Sequence, residues 1–406
     1  MPLGSSLSNV VSALLLLVWI AAGGFAIRWQ RIRAHPLAVA SIVLWLLLFL
    51  GAAWSTAPWG EAWRNIEKYA RLMLVPIVVS LIVDESWRRR ALLAWIAAML
   101  LTLALSYLHA VWAFPLARAT REMAVGDHYI FKHHITQNVM MSVFALVALA
   151  EAVRTLLDRE HPARRWLWLG LSVLAAVNVL FFVHGRTGYL TLFIGLILAM
   201  LVMMRLRRIA LVAPLLLIAL ALGAMASDTV RQRTVAAAQE LSELRDGASL
   251  TSIGRRAEFV ARSWELIRER PLLGWGTGAY AEQFCRVARS PEWCAVGHYN
   301  PHNQFAFLGV QLGLVGIAAL VAWLLCALAG IQRLPMPDRI VGLALVGAFS
   351  VHALFDSPLY IATESVWYPL HFALITALAW SPADRSASRA MAASNTRSTE
   401  GHSGQD

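Results

Sequence analysis

Apolar residues fall into repeated unbroken runs, at 7–27, 37–54, 69–83, 91–114, 135–153, 166–184, 188–204, 209–226, 302–330, 340–357 and 366–380. Most are near the roughly 20 residues that carry an α-helix across a hydrocarbon core of about 30 Å. Inside a bilayer each backbone N–H and C=O must find its partner within its own segment, so the runs predict helices. The polar positions interrupt them with regularity. Arginine clusters at Arg28/Arg31/Arg33, Arg88/Arg89/Arg90, Arg154/Arg159/Arg164/Arg165, Arg205/Arg207/Arg208 and Arg333/Arg339 share one side if the spans alternate. The positive-inside rule makes that side cytoplasmic. The connections 55–68, 115–134, 185–187, 227–301 and 358–365 then lie on the outer side. The expected fold is an all-α polytopic membrane protein of about eleven or twelve transmembrane helices; eleven would leave the N-terminus outside.

Only one polar connection is long, 227–301. Within it, 229–245 reads as an Arg/Glu-rich helix. The stretch 255–270 sets Phe259, Ala261/Arg262, Leu266 and Ile267 on a rough 3.6-residue period, which predicts an amphipathic helix lying over the bundle and ending at Pro271. Gly274-Trp275-Gly276-Thr277-Gly278 follows as a tight reversal, since no strand precedes it to support a phosphate-binding loop. The chain thus divides into an N-terminal transmembrane bundle (1–226), a loop domain over the bundle (227–301), C-terminal transmembrane helices (302–380) and a Ser/Ala/Arg-rich tail (381–406) expected to be disordered and cytoplasmic.

Composition agrees. The 406 residues are 59% hydrophobic, with a mean hydropathy of +0.60, against about 45–50% apolar in soluble domains. The net charge of +11 comes almost wholly from arginine, with Lys68 and Lys132 as the lysines. These charges flank spans and do not line one soluble face, which disfavours nucleic acid as a partner. The first apolar run lacks a basic leader, so a cleavable signal peptide is not expected. Cys326 lies in an apolar run, while Cys285 and Cys294 share the long loop; an oxidising compartment would allow a disulfide, a reducing one two free thiols. Trp54, Trp59, Trp63, Trp87, Trp166, Trp275 and Trp367 stand near span ends and suit interfacial belts.

Candidate chemistry gathers on the outer side. His302 and Asn303 stand where the long loop re-enters the bilayer, before an apolar run with Gly309, Gly313 and Gly316, whose spacing suits close helix packing. The positive end of a helix there favours a nearby anion and the neutral imidazole that a general base requires. Arg186, in Gly185-Arg186-Thr187-Gly188, occupies a short outer hairpin where the positive-inside rule does not explain it. An arginine at membrane depth costs energy and favours a partner, which an anionic ligand would supply. Arg255 and Arg256 are adjacent, so about 100° of helical turn separates them and one is expected to face inward. A guanidinium can grip phosphate oxygens in pairs. Asp356, after His352 and before Pro358, is an outer polar group able to orient a substrate or another residue. No metal is expected: there is no outer Asp-x-Asp, and His128, His133 and His134 lack zincin spacing. One base and at least two phosphate clamps on one face suit sugar transfer from a lipid pyrophosphate.

His302-Asn303, nine residues, Gly313, two residues, Gly316 resembles the His-Asn-x9-Gly-x-x-Gly pattern of the bacterial O-antigen ligase family. The superfamily also holds O-antigen polymerases and PglL-type protein O-oligosaccharyltransferases. The Arg186 hairpin, the stretch from Arg255 to Gly276 and the early segment from Trp54 to Ala62 are similar too. The resemblance implies a GT-C-like, metal-independent inverting glycosyltransferase of the bacterial inner membrane, without cofactors. It would move O-antigen polysaccharide from undecaprenyl pyrophosphate to a lipid A–core hydroxyl at the periplasmic face. By position, His302 would be the base, and Arg186 with Arg255 or Arg256 the pyrophosphate ligands; Asn303 and Asp356 join them as substrate-binding candidates. The family's usual twelve spans exceed eleven by one, which points to a truncated or tilted first helix. The nearest alternatives keep the donor and change the acceptor, to an O-unit or a protein. A transporter of lipid-linked sugars is the alternative of another class.

Overall fold

The computed structural model describes residues 5–159, 161–204, 235 and 251–380. The expected span at 209–226 and, but for Val235, the expected helix at 229–245 lie outside them. Helices α1 (Ser5–Ala21), α2 (Phe25–Ala34), α3 (Pro36–Gly51), α4 (Trp59–Tyr69), α5 (Leu74–Leu81) and α6 (Glu85–Val111) come first. A single turn, α7 (Arg118–Arg121), precedes α8 (His134–Leu157), α9 (Pro162–Val177) and α10 (Arg186–Met203). After the undescribed stretch come α11 (Ser252–Glu269), α12 (Tyr280–Val287), α13 (Pro291–Gly297), α14 (Gln304–Gln332), α15 (Met336–Phe355) and α16 (Glu364–Thr376). No strand occurs among the described residues. The protein is an all-α polytopic membrane protein.

Seven described helical segments are long and apolar enough to cross a bilayer: Pro36–Trp54, Glu85–Val111, His134–Leu157, Pro162–Phe182, Arg186–Met203, Gln304–Gln332 and Met336–Phe355. Three expected spans come out shorter. The run 7–27 is cut at Gly23 and Gly24, both with positive φ, and α2 turns away after them. The run 69–83 is the end of a helical stretch that already starts at Trp59 and tightens through a 3₁₀ turn at Ala70–Met73, leaving eight residues in α5. The run 366–380 gives a helix of 13 residues, Glu364–Thr376, with Pro369 inside it.

Arginine clusters of the described residues do collect at one end, while Arg205, Arg207 and Arg208 lie outside those residues. Arg88 and Arg154 both reach Asp338 at the start of α15. Arg31 lines one cavity with His35 and Trp380, and Arg333 stacks on Trp380. The outer-loop helices α11 to α13 lie at the other end, where Thr277 N–H donates to Gly51 O at the end of α3 (3.0 Å). Trp59, Trp63, Trp87 and Trp166 are exposed as a belt requires, but Trp367 is wholly buried against Tyr368 and His371 and is a core residue.

The long helix α14 is broken at Gly313, where φ is +62° and ψ −153°. Glycine is the residue that reaches this region without a Cβ clash. The reversal after α11 repairs the break. Trp275 and Gly276 N–H donate to the carbonyls of Val310 and Gln311 (2.9 Å each), and Leu314 N–H donates to Pro271 O (2.7 Å). Non-helical backbone at membrane depth is tolerated where protein satisfies its polar groups, as here. A Cβ on Gly313 would sit 2.4 Å from Leu272 backbone. Gly313 is therefore needed for a backbone junction, which corrects its expected role in helix packing. Gly309 does serve packing: a Cβ there would meet Ile267 of α11 at 2.5 Å.

Candidate active site

Asn303 caps α14, its Oδ1 accepting from Ala306 N–H (2.9 Å) while its Nδ2 donates to Leu354 O (3.1 Å). Its amide is thus used to start one helix and bind the end of another, a different task from the substrate contact expected of it. Just before the cap, His302 adopts φ +52°. A left-handed non-glycine residue costs about 1–2 kcal/mol and persists only when its surroundings enforce it. Here they do: Asn300 Oδ1 accepts from His302 N–H (2.9 Å), and Asn300 Nδ2 donates to Asp356 Oδ1 (2.9 Å). Ser357 Oγ donates to Asn300 Oδ1 (2.7 Å), and Ser357 N–H to Asp356 Oδ1 (2.9 Å).

The ring is what this network positions. His302 Nδ1 lies 3.0 Å from Asp356 Oδ1. A carboxylate only accepts, so Nδ1 carries the hydrogen and the lone pair of the neutral ring stands on Nε2. The His302 side chain is 38% exposed and the Asp356 side chain 13%, so a shielded carboxylate supports an accessible base. Burial would raise the Asp356 carboxyl, but the hydrogen bond and charge of His302, the charge of His352 and the Ser357 N–H together hold it below its usual range.

Phe259 lies against the face of the ring, with centroids 6.1 Å apart and planes 19° from parallel. It belongs to α11, whose Thr251 cap accepts from Gly254 N–H (3.2 Å). Phe259, Ser263, Leu266 and Ile267 are buried along one stripe of α11, and Arg256, three residues before Phe259, extends it half-buried while Arg255 is exposed. Of the adjacent pair, then, Arg256 is the one that turns in, on the stripe that leads to His302.

Arg186 starts α10 from a hairpin under tight control. Asn138 Nδ2 donates to Val183 O (2.8 Å) and Gly185 O (3.2 Å), and a Cβ on Gly188 would strike Asn138 at 2.5 Å. Asp127 Oδ1 accepts from His184 N–H (3.2 Å). Along the shared face, Gly347 of α15 meets Ile194 and Leu198, while Ala199 clusters with Ile340, so α10 and α15 run antiparallel. At 1.5 Å per residue, Arg186 and Asp356 both lie about 13–15 Å beyond that meeting point, at the same level. The structure therefore brings His302, Asn303 and Asp356 together, sets Arg256 one helical turn from the ring's stacking partner, and holds Arg186 at the same end of the bundle. Asn300, Ser357 and Phe259 were not anticipated from sequence. Asn300 offered one signal, an amide two residues before the left-handed His302.

His109 of α6 and His128 of the outer loop meet Nδ1 to Nδ1 at 2.9 Å, and the His133 and His134 rings lie 4.0 Å apart, tilted by 39°. Among the described residues no group of three or more His, Cys, Asp or Glu side chains is arranged to hold a metal ion. Cys285 and Cys294 form a disulfide joining α12 to α13.

No curated protein matches the chain. Residues 171–321, however, match the family model described as O-antigen ligase. That segment contains Arg186, Arg255, Arg256, His302, Asn303, Gly313 and Gly316, and ends before Asp356. This match supports membership in the O-antigen ligase family, membrane glycosyltransferases of the ligase and polymerase type that act on lipid-linked polysaccharide.

Proposed function

We propose that the protein is an O-antigen ligase, transferring polysaccharide from undecaprenyl pyrophosphate to a lipid A–core hydroxyl at the periplasmic face of the inner membrane. The observation that carries this reading is the bond from His302 Nδ1 to Asp356 Oδ1 (3.0 Å), which leaves Nε2 as an accessible base. Nε2 takes the proton of the acceptor hydroxyl as its oxygen attacks the anomeric carbon. The bond from that carbon to the pyrophosphate oxygen breaks, and undecaprenyl pyrophosphate leaves with the electron pair, inverting the centre. Asp356 stabilises the imidazolium that forms. Arg256 and Arg186 meet the charge of the leaving group, for which a planar guanidinium fork is well shaped.

Two features support the periplasmic assignment. The His302 site stands at the end of the bundle opposite the arginine clusters, which the positive-inside rule puts in the cytoplasm. The Cys285–Cys294 disulfide suits an oxidising compartment.

The test is transfer by the purified protein, given lipid-linked glycan and, in turn, lipid A–core, a second lipid-linked O-unit and a protein acceptor. Wild type is expected to use lipid A–core, and His302→Ala to lose about 10²–10⁴-fold in rate, the usual share of a general base, with normal membrane insertion. Extension of the O-unit chain instead would make the protein a polymerase. Unimpaired ligation by His302→Ala would remove the base.

A further inference from the structure

A cavity opens near the dyad, lined by residues of the chain segments that flank it. Its volume is about 250 Å³, just below the ~300–1,000 Å³ of pockets for drug-sized ligands and suited to a sugar unit. Two of its walls are the chain segments that build the dyad. Tyr299 adjoins Asn300, which bonds to Asp356, and Tyr360 stands four residues beyond Asp356. Gln304 Oε1, directly after the α14 cap, accepts from Leu359 N–H (2.8 Å), and Tyr360 packs edge-on against Phe307 (4.7 Å). The third wall is α4, which presents Glu61, Arg64, Asn65 and Lys68 at helical spacing.

The polar groups of that wall differ in how well they are matched. Arg64 is paired with Glu61. Lys68 has no such partner: its Nζ sits 3.5 Å from the centroid of Tyr360 and 5.5 Å from that of Tyr299, and no carboxylate of the described residues reaches ion-pair distance. Ring faces attract a cation, yet they provide less than a carboxylate would. Burial, then the charges of Arg71 and Arg64, lowers its pKa against the smaller opposing pull of Glu61 and Glu67, so an anion in direct contact would be welcome. Asn65 gives a second, independent sign. It is 4% exposed, its Nδ2 donates to Glu61 O (3.0 Å), and its Oδ1 is buried with no hydrogen-bond partner among the described residues. A buried unmatched acceptor costs about 1–3 kcal/mol, which a hydroxyl donor in the pocket would recover.

We infer that this pocket binds the acceptor sugar and selects one bearing an acidic group, with Lys68 as counter-ion and Asn65 Oδ1 accepting a sugar hydroxyl. The inference rests on the glycosyl-transfer reading above, and it gives the two substrates separate approaches to His302, the donor from the α11 side and the acceptor from the α4 side. The acidic group is a carboxylate or a phosphate on the sugar.

The experiment measures acceptor binding without turnover, on full-length His302→Ala protein in nanodiscs. The probes are purified lipid A–core, the same material enzymatically dephosphorylated, and the same material with its carboxyls reduced. Adding Lys68→Gln is expected to weaken binding of intact lipid A–core about ten- to a hundredfold, the share of a charged hydrogen bond, and Lys68→Arg to restore most of it. Whichever modified probe loses affinity for the Lys68 protein but not for the Gln variant identifies the acidic group. In the active protein, Lys68→Gln should raise the acceptor KM and leave the donor KM in place. Unchanged acceptor affinity in Lys68→Gln overturns the inference, as does a rise in donor KM alone. Because binding is read without catalysis, it separates this result from a failed base assignment, which His302→Ala would reveal by retaining transfer.

Discussion

Helix α15 carries a shielded carboxylate at each end, and the two keep different company. Asp338, 10% exposed, accepts from Arg154 (2.9 Å) and faces Arg88 (3.4 Å), while Glu85 and Glu151 attend the same arginines. Asp356, 13% exposed, pairs with an imidazole, His302 (3.0 Å). Eighteen residues of sequence, about 27 Å along the helix, separate them. Guanidinium stays charged at any pH the protein meets, so the Asp338 cluster has one state and serves as a permanent tie between α6, α8 and α15. An imidazole, unlike a guanidinium, can be neutral or protonated, so the Asp356 pair has two forms and can pass a proton. Equal burial therefore does not mean equal purpose; the titration range of the partner tells structure from chemistry.

Neutralising each carboxylate in turn should split the two roles. Asp356→Asn is expected to lower transfer by on the order of 10²–10⁴-fold, because the amide can present its N–H to His302 and hold the wrong tautomer, and cannot stabilise the imidazolium. Protein yield and monodispersity should stay close to wild type. Asp338→Asn should do the reverse. Breaking a buried pair costs about 3–5 kcal/mol, here at the low end because Glu85 and Glu151 remain for Arg88 and Arg154. Its melting point should fall clearly, with transfer per folded molecule unchanged. A large catalytic loss in Asp338→Asn without loss of stability would dissolve the contrast.

The adjacent arginines of α11 offer a finer version of the same test. Arg256→Ala should cost roughly ten- to a hundredfold in transfer, as expected for a lost charged hydrogen bond, and Arg255→Ala about twofold or less, as for an exposed charge. Initial rates over a range of lipid-linked donor would measure both. Equal losses would mean that the buried stripe of α11 does not decide which guanidinium serves.

Much of this was legible in the sequence, and the exceptions share a cause. The apolar runs and the alternating arginines located seven of the spans and both ends of the bundle, since hydropathy and topology are local in sequence. His302 stood out because it lies at a junction of polar loop and apolar helix. The meaning of Asp356 was hidden, because its partner is 54 residues away and nothing local distinguishes a carboxylate that orients a base from one that touches substrate. Gly313 misled for the same reason. Its spacing from Gly309 and Gly316 suggested helix packing, whereas its conformation answers to Pro271–Gly276, a segment some forty residues upstream. The short α5 was missed because the helical run begins in the polar stretch at Trp59, before the apolar one.

Acid offers the mildest and most specific probe of the Asp356 end. Its carboxyl is held below the usual carboxylate range in the folded protein, while the unfolded chain should show about 3.9. A group whose folded pKa is depressed stabilises the fold fully above the unfolded value, and that contribution fades as pH falls through the folded one. Wild type should therefore melt above Asp356→Asn by its widest margin from pH 7 down to about 5, and the margin should narrow steadily below about pH 4. Melting both proteins in one detergent at fixed scan rate, from pH 7 to pH 3, reads the difference directly. Asp338 provides the internal control, present and unaltered in both proteins. A margin that widens on acidification would mean that Asp356 is protonated in the fold. His302 would then lack the negative charge on which its proton transfer depends.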